Sequence, residues 1–180
     1  MGVVSLSQAM KQGLSKPAIT RLCASEQLQR VGMGFYIHPD SKADPKTYDF
    51  VVACKRFGKT SVIGGLTALF YYGLIDQAPR KVWILVSPDQ KTISTLYRCV
   101  RTRTDPKVGI EDHGLFRITN LERTIIEGLR FASKIGTRLA IKAARTAISD
   151  GRTNEMKLAK EATALDLRNV IEKYWDVIAV

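Results

Sequence analysis

Gly58-Lys59-Thr60 has the residue types that hold a phosphate in nucleotide-binding proteins. A complete phosphate-binding loop needs a further glycine five residues before Gly58, and it follows a strand and opens a helix. Ala53 occupies that position, and the bulky Lys55-Arg56-Phe57 stands where the backbone would have to bend around the phosphate. The later apolar segment Trp83-Ile84-Leu85-Val86 runs into Ser87-Pro88 rather than into an aspartate that could hold Mg²⁺. The triplet therefore does not predict an NTPase.

Other catalytic and metal-binding patterns are equally weak. His38 and His113 are the only histidines, and neither has a cysteine, histidine or carboxylate at metal-ligand spacing. Pro88-Asp89 with Glu155-x-Lys157 is similar to a nuclease signature, but the separation is too long and Glu155 is predicted to open a helix. The three cysteines are far apart without a Cys-x-x-Cys pair, which predicts neither disulfides nor structural zinc. We expect a protein that is not an enzyme and carries no metal or cofactor.

Charge is the strongest compositional signal. The 180 residues carry a formal net charge of +11, which in a globular chain indicates a polyanionic partner, most often nucleic acid. The excess is not confined to one end, since residues 1–46 hold six Lys/Arg against three acids and the rest lies downstream. Hydrophobic residues make up 45% of the chain without a run long enough to span a membrane. We expect a cytoplasmic protein that does not contact membranes.

The elements that must position these charges begin with two short helices and a hairpin. Ser5 or Ser7 is a suitable N-cap for a first helix that Gly13 ends, and Ser15 with Pro17 in the first turn predicts a second. Gly32-Met33-Gly34, between apolar residues, predicts a tight β-hairpin. Helix, turn, helix and hairpin is the order of a winged helix-turn-helix, whose second helix enters the DNA major groove. The charge and pattern favour DNA over the alternative, a small helical hairpin that binds protein.

The predicted DNA-binding residues fall into two groups. The first turn and outward positions of the second helix would face base edges, whereas the hairpin would reach the backbone or minor groove. These residues are Ser15, Lys16, Ala18, Thr20 and Arg21 on the helix, and Arg30 and Met33 on the hairpin.

We predict an α+β or α/β fold with a small N-terminal winged helix-turn-helix and a C-terminal α/β domain that has a short sheet and a helical C-terminal half. The N-terminal domain is placed at 1–40, the polar, proline-containing linker at 41–49 and the second domain at 50–180. Strands are expected within 81–87, 91–104 and 114–120, and a buried helix within 60–73 whose Gly64 and Gly65 require a close neighbour. Residues 120–178 are predicted to be helical.

A second cationic surface is predicted on the C-terminal helices. Arg138, Lys142 and Arg145 are spaced i, i+4 and i+7, which places them on one helix face. This face is either simply solvated or a second nucleic-acid contact, and the sequence does not decide between the two.

The order of segments resembles the AbiEi family of antitoxins from bacterial abortive-infection, or type IV toxin–antitoxin, systems. The matching pieces are "LQRVGMGFYIHP", "TSVIGGLTALFYYGL", "KVWILVS" and "GIEDHGLFRITNLERTIIEGLRF", and they span nearly the whole chain. Within the last piece, Thr119-Asn120-Leu121-Glu122-Arg123-Thr124 is similar to the family's Thr-x-x-Arg-Thr turn into a helix, with one additional residue between Thr119 and Arg123. One departure is that members of the family commonly have a helix before the segment that starts here at Val3, so we expect the first helix of the winged helix to be missing.

The resemblance implies a repressor that binds inverted repeats in its own promoter, with two or more copies on the DNA. It also implies an antitoxin that counteracts a nucleotidyltransferase-type toxin without a stable complex. An alternative is a module that neutralises the toxin through protein or tRNA contacts without sequence-specific DNA binding. The absent first helix implies that the apolar surface on Leu6, Ile19 and Leu22 is covered by the second domain or by another subunit; the alternative is a shortened relative that does not bind DNA tightly.

Overall fold

The computed structural model describes residues 2–41, 44–90 and 94–179, which form a mixed α+β fold. The N-terminal part contains β1 (Val4–Ser5), α1 (Leu6–Lys11), α2 (Lys16–Ala24), β2 (Gln29–Gly32) and β3 (Phe35–Ile37). β3 lies between β1 and β2, and both pairings are antiparallel. A capping box between Ser5 and Gln8 begins α1, and Gly13 follows its end with φ +90°.

A helix that the sequence did not predict, α3 (Tyr48–Phe57), follows this sheet. The predicted linker 41–49 therefore contains the 3-10 turn Pro45–Thr47 and the first two residues of α3, while residues 42–43 lie outside the described range. Val51, Val52 and Ala53 are fully or almost fully buried. They share one hydrophobic cluster with Val3 and Ile37 of the N-terminal part and with residues of the larger sheet. Helix α3 thus packs between the two sheets.

The larger sheet has five strands in the order β6-β5-β4-β8-β7. They are β4 (Val62–Ile63), β5 (Val82–Val86), β6 (Tyr97–Arg101), β7 (Ile110–Asp112) and β8 (Arg117–Thr119). β4 pairs antiparallel with β5 and parallel with β8, β5 pairs parallel with β6, and β7 and β8 form an antiparallel hairpin. The predicted ranges contain three of these strands, β5, β6 and β8. Residues 91–93 of the predicted range 91–104 lie outside the described residues. The expectation that Val62–Ile63 belongs to a helix was wrong, and β7 was not among the predicted strands.

Alternation along the central strands separates two hydrophobic cores. Ile63 and Ile84 face the cluster that contains α3, whereas Val62 and Leu85 face the cluster formed with the helices after β4. Those helices are α4 (Gly65–Tyr71), α5 (Leu121–Arg130), α6 (Ala132–Ile135), α7 (Thr137–Ser149), α8 (Glu155–Ala164) and α9 (Arg168–Ile178). Helix α5 is central to them and contacts α4, α7, α8 and α9.

Gly64 and Gly65 have the close neighbour that their position required. A Cβ atom added at Gly64 would lie 2.8 Å from Leu85 Cγ, and one at Gly65 would lie 2.7 Å from Trp83 Cε3. Gly65 also has φ +55°, in the left-handed region. The two glycines therefore allow the start of α4 to pack directly on β5, which confirms that prediction. Across the described ranges no helix has both the length and the hydrophobicity to cross a bilayer.

Candidate nucleic-acid interface

Helix α2 begins where the sequence placed it, after the N-cap Ser15. The Ser15 hydroxyl accepts a hydrogen bond from the Ala18 N–H over 3.3 Å, and Pro17 lies in the first turn, where its missing N–H costs nothing. Ile19 is buried beneath the helix. This anchoring turns Lys16, Thr20 and Arg21 to the solvent, and Thr20 Oγ1 donates a hydrogen bond to the Lys16 carbonyl over 3.1 Å.

The β2–β3 hairpin turns at Met33-Gly34, where Gly34 has φ +75°. The Met33 side chain is 70% exposed at the tip. A bulge separates Arg30 from Gly32, and Arg30 Nε donates a long hydrogen bond of 3.4 Å to the Gly32 carbonyl. The Leu6 N–H donates a hydrogen bond of 2.7 Å to the Gly34 carbonyl, which ties the hairpin tip to the start of α1.

The structure places every predicted DNA-binding residue on α2 or on the hairpin, and all but one are exposed. Ala18 is half-buried, so it offers less surface than the prediction assigned to it. Lys16, Arg21 and Arg30 form no ion pair within the described residues, which leaves three cations available to an external anion. Thr20 and Ser15 have intrahelical hydrogen bonds and therefore contribute to the helix as well as to the surface.

The predicted second surface on α7 is differently arranged. Arg138, Lys142 and Arg145 are all exposed on this helix, as their spacing required. Lys142 Nζ lies 3.5 Å from Asp76 Oδ2, in a pair whose side chains are 69% and 96% exposed. Arg145 Nε donates a hydrogen bond of 2.7 Å to the Val177 carbonyl near the end of α9. Two of the three cations therefore have partners inside the protein.

Sequence reasoning did not assign a function to a basic cleft at the end of α3. Lys55, Arg56 and Lys59 line it from this helix and the following turn, and Arg117 of β8 lines it from the large sheet. Gly58 ends α3 with φ +88°, so Gly58-Lys59-Thr60 joins a helix to a strand, the reverse of the order in a phosphate-binding loop. The lysine of that triplet was the sequence signal that could have located this surface.

Arg123, the arginine of the segment that resembles the family's turn, is a core residue. Both Arg123 and Glu127 have fully buried side chains, and Arg123 Nη2 lies 3.2 Å from Glu127 Oε1. Arg123 Nη1 donates hydrogen bonds to the carbonyls of Asp105, at 2.7 Å, and Val108. Burial raises the pKa of the Glu127 carboxyl, although Arg123 and Arg130 act in the opposite direction. This arginine therefore holds the loop before β7 against α5.

The two histidines each lie beside one carboxylate, which the sequence analysis had not recognised. His38 Nδ1 is 3.5 Å from Asp40 Oδ2, and His113 Nε2 is 3.5 Å from Glu111 Oε2. Both are partly exposed pairs on the surface. In the described part of the chain, no three His, Cys, Asp or Glu side chains come together as ligands for a metal ion.

Comparison with known proteins supplies a likeness of fold. No family model and no curated protein matches the sequence. Among solved structures, the fold is similar to the crystal structure of the RV2827C protein from Mycobacterium tuberculosis, with a TM-score of 0.58 and 13% sequence identity. The similarity covers 99% of this chain and 76% of that one. The chain thus shares an α+β architecture with this mycobacterial protein.

Proposed function

We propose that this protein binds duplex DNA through α2 and the β2–β3 hairpin and represses transcription. The observation that carries the proposal is the position of Lys16, Arg21 and Arg30, which are exposed on consecutive elements of a chain with a formal net charge of +11. Lysine and arginine neutralise backbone phosphates, and the release of counterions from DNA favours binding.

The arrangement of the N-terminal elements supports this mode of binding. Two helices joined by a short turn lead into a hairpin, and β1 adds a third strand, in the order β-α-α-β-β. In a winged helix-turn-helix the second of these helices lies in the major groove and its N-terminal residues contact base edges. Lys16 occupies the first turn of α2, while Arg21 lies one turn further along. Both residues are therefore candidates for a base edge or an adjacent phosphate: a shallower salt slope would assign Lys16 to a phosphate, and a loss confined to the operator would assign Arg21 to a base.

The antitoxin part of the proposal comes from the resemblance to the AbiEi family. In this role the protein is cytoplasmic, represses its own operon from inverted repeats and counteracts a nucleotidyltransferase-type toxin without a stable complex. Inverted symmetry requires one copy on each half-site, so at least two copies bind together. The test is co-expression with a nucleotidyltransferase-like product of the adjacent gene. Restored growth without co-purification is expected, whereas a stable complex and no shift of promoter DNA would favour direct neutralisation.

Binding to the promoter is tested by the salt dependence of the association constant. Lys16→Ala and Arg30→Ala are each expected to weaken binding and to make the slope of log K against log salt shallower by about one unit, the value for one lost phosphate contact. Lys157→Ala, an exposed charge on α8, serves as the control and should leave the slope unchanged. Unchanged slopes for both variants would remove these residues from the interface.

Arg21 is tested by comparing the operator with random DNA. Arg21→Ala is expected to cost about 1–3 kcal/mol on the operator, the range for a bidentate contact with a base. A much smaller loss is expected on random DNA, because no base contact exists there. An equal loss on both duplexes would make Arg21 a phosphate contact instead.

A further inference from the structure

The basic cleft at the end of α3 runs beside the hairpin. Its volume is about 1100 Å³. Four segments form its walls: the start of α1, the start of β3, the end of α3 with the following turn, and the β7–β8 hairpin. Cys54 lies within it, where burial raises the pKa of the thiol, so the cleft does not present a thiolate.

The charge of the cleft is strongly positive. Lys55, Arg56, Lys59 and Arg117 line it, against the single carboxylate of Asp112. An adjoining recess of about 360 Å³ shares Lys55 and Gln8 with the cleft and adds Lys11. The basic surface therefore extends along two connected depressions.

The two lysines at the end of α3 are the cations most available to a ligand. Lys55 and Lys59 are exposed and form no ion pair within residues 2–41, 44–90 and 94–179. Arg117 and Arg56 are less free: an Arg117 nitrogen donates a hydrogen bond of 2.8 Å to the Ser61 carbonyl, and the Arg56 guanidinium lies 5.7 Å from the centre of the Tyr97 ring. The experiment below therefore uses the lysines.

The cleft begins where the hairpin ends. Phe35, which lines it, directly follows Gly34 of the hairpin turn, and Leu6 is hydrogen-bonded to the Gly34 carbonyl. Ser5 and Ser7, on either side of Leu6, also line the cleft. The sugar–phosphate backbone of a DNA strand that contacts the hairpin tip would therefore continue along the protein surface into the cleft.

We propose that this cleft binds the sugar–phosphate backbone of the same duplex, beyond the base pairs that α2 reads, with Lys55 and Lys59 contacting phosphates. The inference rests on the proposed DNA binding and extends it to α3. A linear polyanion suits the site because the cations are spread along an open groove. A single small phosphate needs convergent backbone donors, and the order of helix, turn and strand around Gly58 is not that of a phosphate-binding loop.

The experiment compares Lys55→Ala/Lys59→Ala with Lys157→Ala/Lys160→Ala, which removes the same charge from exposed positions on α8. Each protein is titrated with the full operator duplex and with a duplex trimmed to the half-site. Loss of two phosphate contacts should make the slope of log K against log salt shallower by about two units on the full duplex. We expect no such change on the trimmed duplex or in the control variant. Hydroxyl-radical footprinting should show loss of protection in the flank alone.

Several results would overturn the inference while leaving DNA binding intact. One is a Lys55→Ala/Lys59→Ala variant that matches the control, while Lys16→Ala and Arg30→Ala still weaken binding. Another is an equal loss on both duplex lengths. A third result combines two observations: the DNA flank has no effect on binding, and inorganic tripolyphosphate raises the unfolding temperature of the native protein but not that of the double variant. The cleft would then bind a small phosphate instead. Failure of the native protein to bind the operator would instead defeat the proposed function itself.

Discussion

Arg21 of α2 and Arg123 of α5 show how differently the same side chain is used in two parts of this protein. Arg21 is exposed and has no carboxylate partner within the described residues, whereas Arg123 is fully buried with its donors directed to Glu127 and to two backbone carbonyls. A guanidinium removed from water is tolerated only where paired charges and hydrogen bonds replace its hydration. Positive charge therefore stabilises the fold in α5, whereas in α2 it is exposed to solvent, as the proposed contact with DNA requires.

The largest expected effect is on stability and comes from removing the buried arginine, Arg123. Arg123→Ala should lower the free energy of unfolding by about 3–5 kcal/mol, because it leaves the Glu127 carboxyl and the carbonyls of Asp105 and Val108 without their donor. Urea denaturation measures the loss. Arg21→Ala is the matched control and should stay within about 0.5 kcal/mol of the native protein, since its side chain is exposed.

Arg123→Met/Glu127→Leu sharpens the same test. Replacing both ions removes the uncompensated charge, so the double variant should recover part of the loss. Recovery stays incomplete because the two carbonyls still lack a donor. A loss below about 1 kcal/mol for Arg123→Ala alone would contradict a structural role for this arginine.

The second prediction concerns pH. Burial raises the folded-state pKa of Glu127 above its ordinary value of 4.5. Between that value and the raised pKa, the native state keeps a proton on Glu127 that the unfolded state has released. The stability linked to Glu127 is therefore fully present below pH 4.5 and is lost as pH rises through the raised pKa. Glu127→Gln does not titrate and lacks this loss. Unfolding free energies of both proteins, measured across pH 4 to 8, should show the native protein falling relative to the variant. A rising difference would mean that Arg123 outweighs the desolvation.

Local signals predicted the outer part of the molecule better than its interior. Ser15 and Pro17 fixed the start of α2, and Gly32-Met33-Gly34 fixed the hairpin, because capping and turn chemistry are local properties. Helix α3 was missed because a short apolar run such as Phe50–Cys54 does not distinguish a buried helix from a strand. Burial of Arg123 was also unpredictable, since arginine is seldom buried and its partners include carbonyls 15 and 18 residues earlier in the chain.

The third prediction separates folding from binding at a single position. Ser15→Ala should cost about 1 kcal/mol of stability, because the Ala18 N–H loses its hydrogen-bond acceptor. Ser15→Asp keeps an N-cap acceptor and should retain the stability, but it places a negative charge where, on the proposed mode of binding, α2 would approach the phosphates. Thermal unfolding and operator binding are measured on both. An aspartate variant that binds as tightly as the native protein would show that the start of α2 does not approach DNA.

The smallest expected effect concerns α7, which carries both cations with partners inside the protein and, within the described residues, a cation without one. Lys142 and Arg145 have partners in Asp76 and the Val177 carbonyl, whereas Arg138 forms no hydrogen bond or ion pair with any described residue. Exposed pairs such as Lys142 with Asp76 contribute about 0–1 kcal/mol, so Lys142→Ala should barely alter stability. We expect Arg138→Ala to leave the salt dependence of operator binding unchanged. A slope shallower by about one unit would show that α7 also contacts phosphates, and cations on the helical half would then serve the partner as well as the fold.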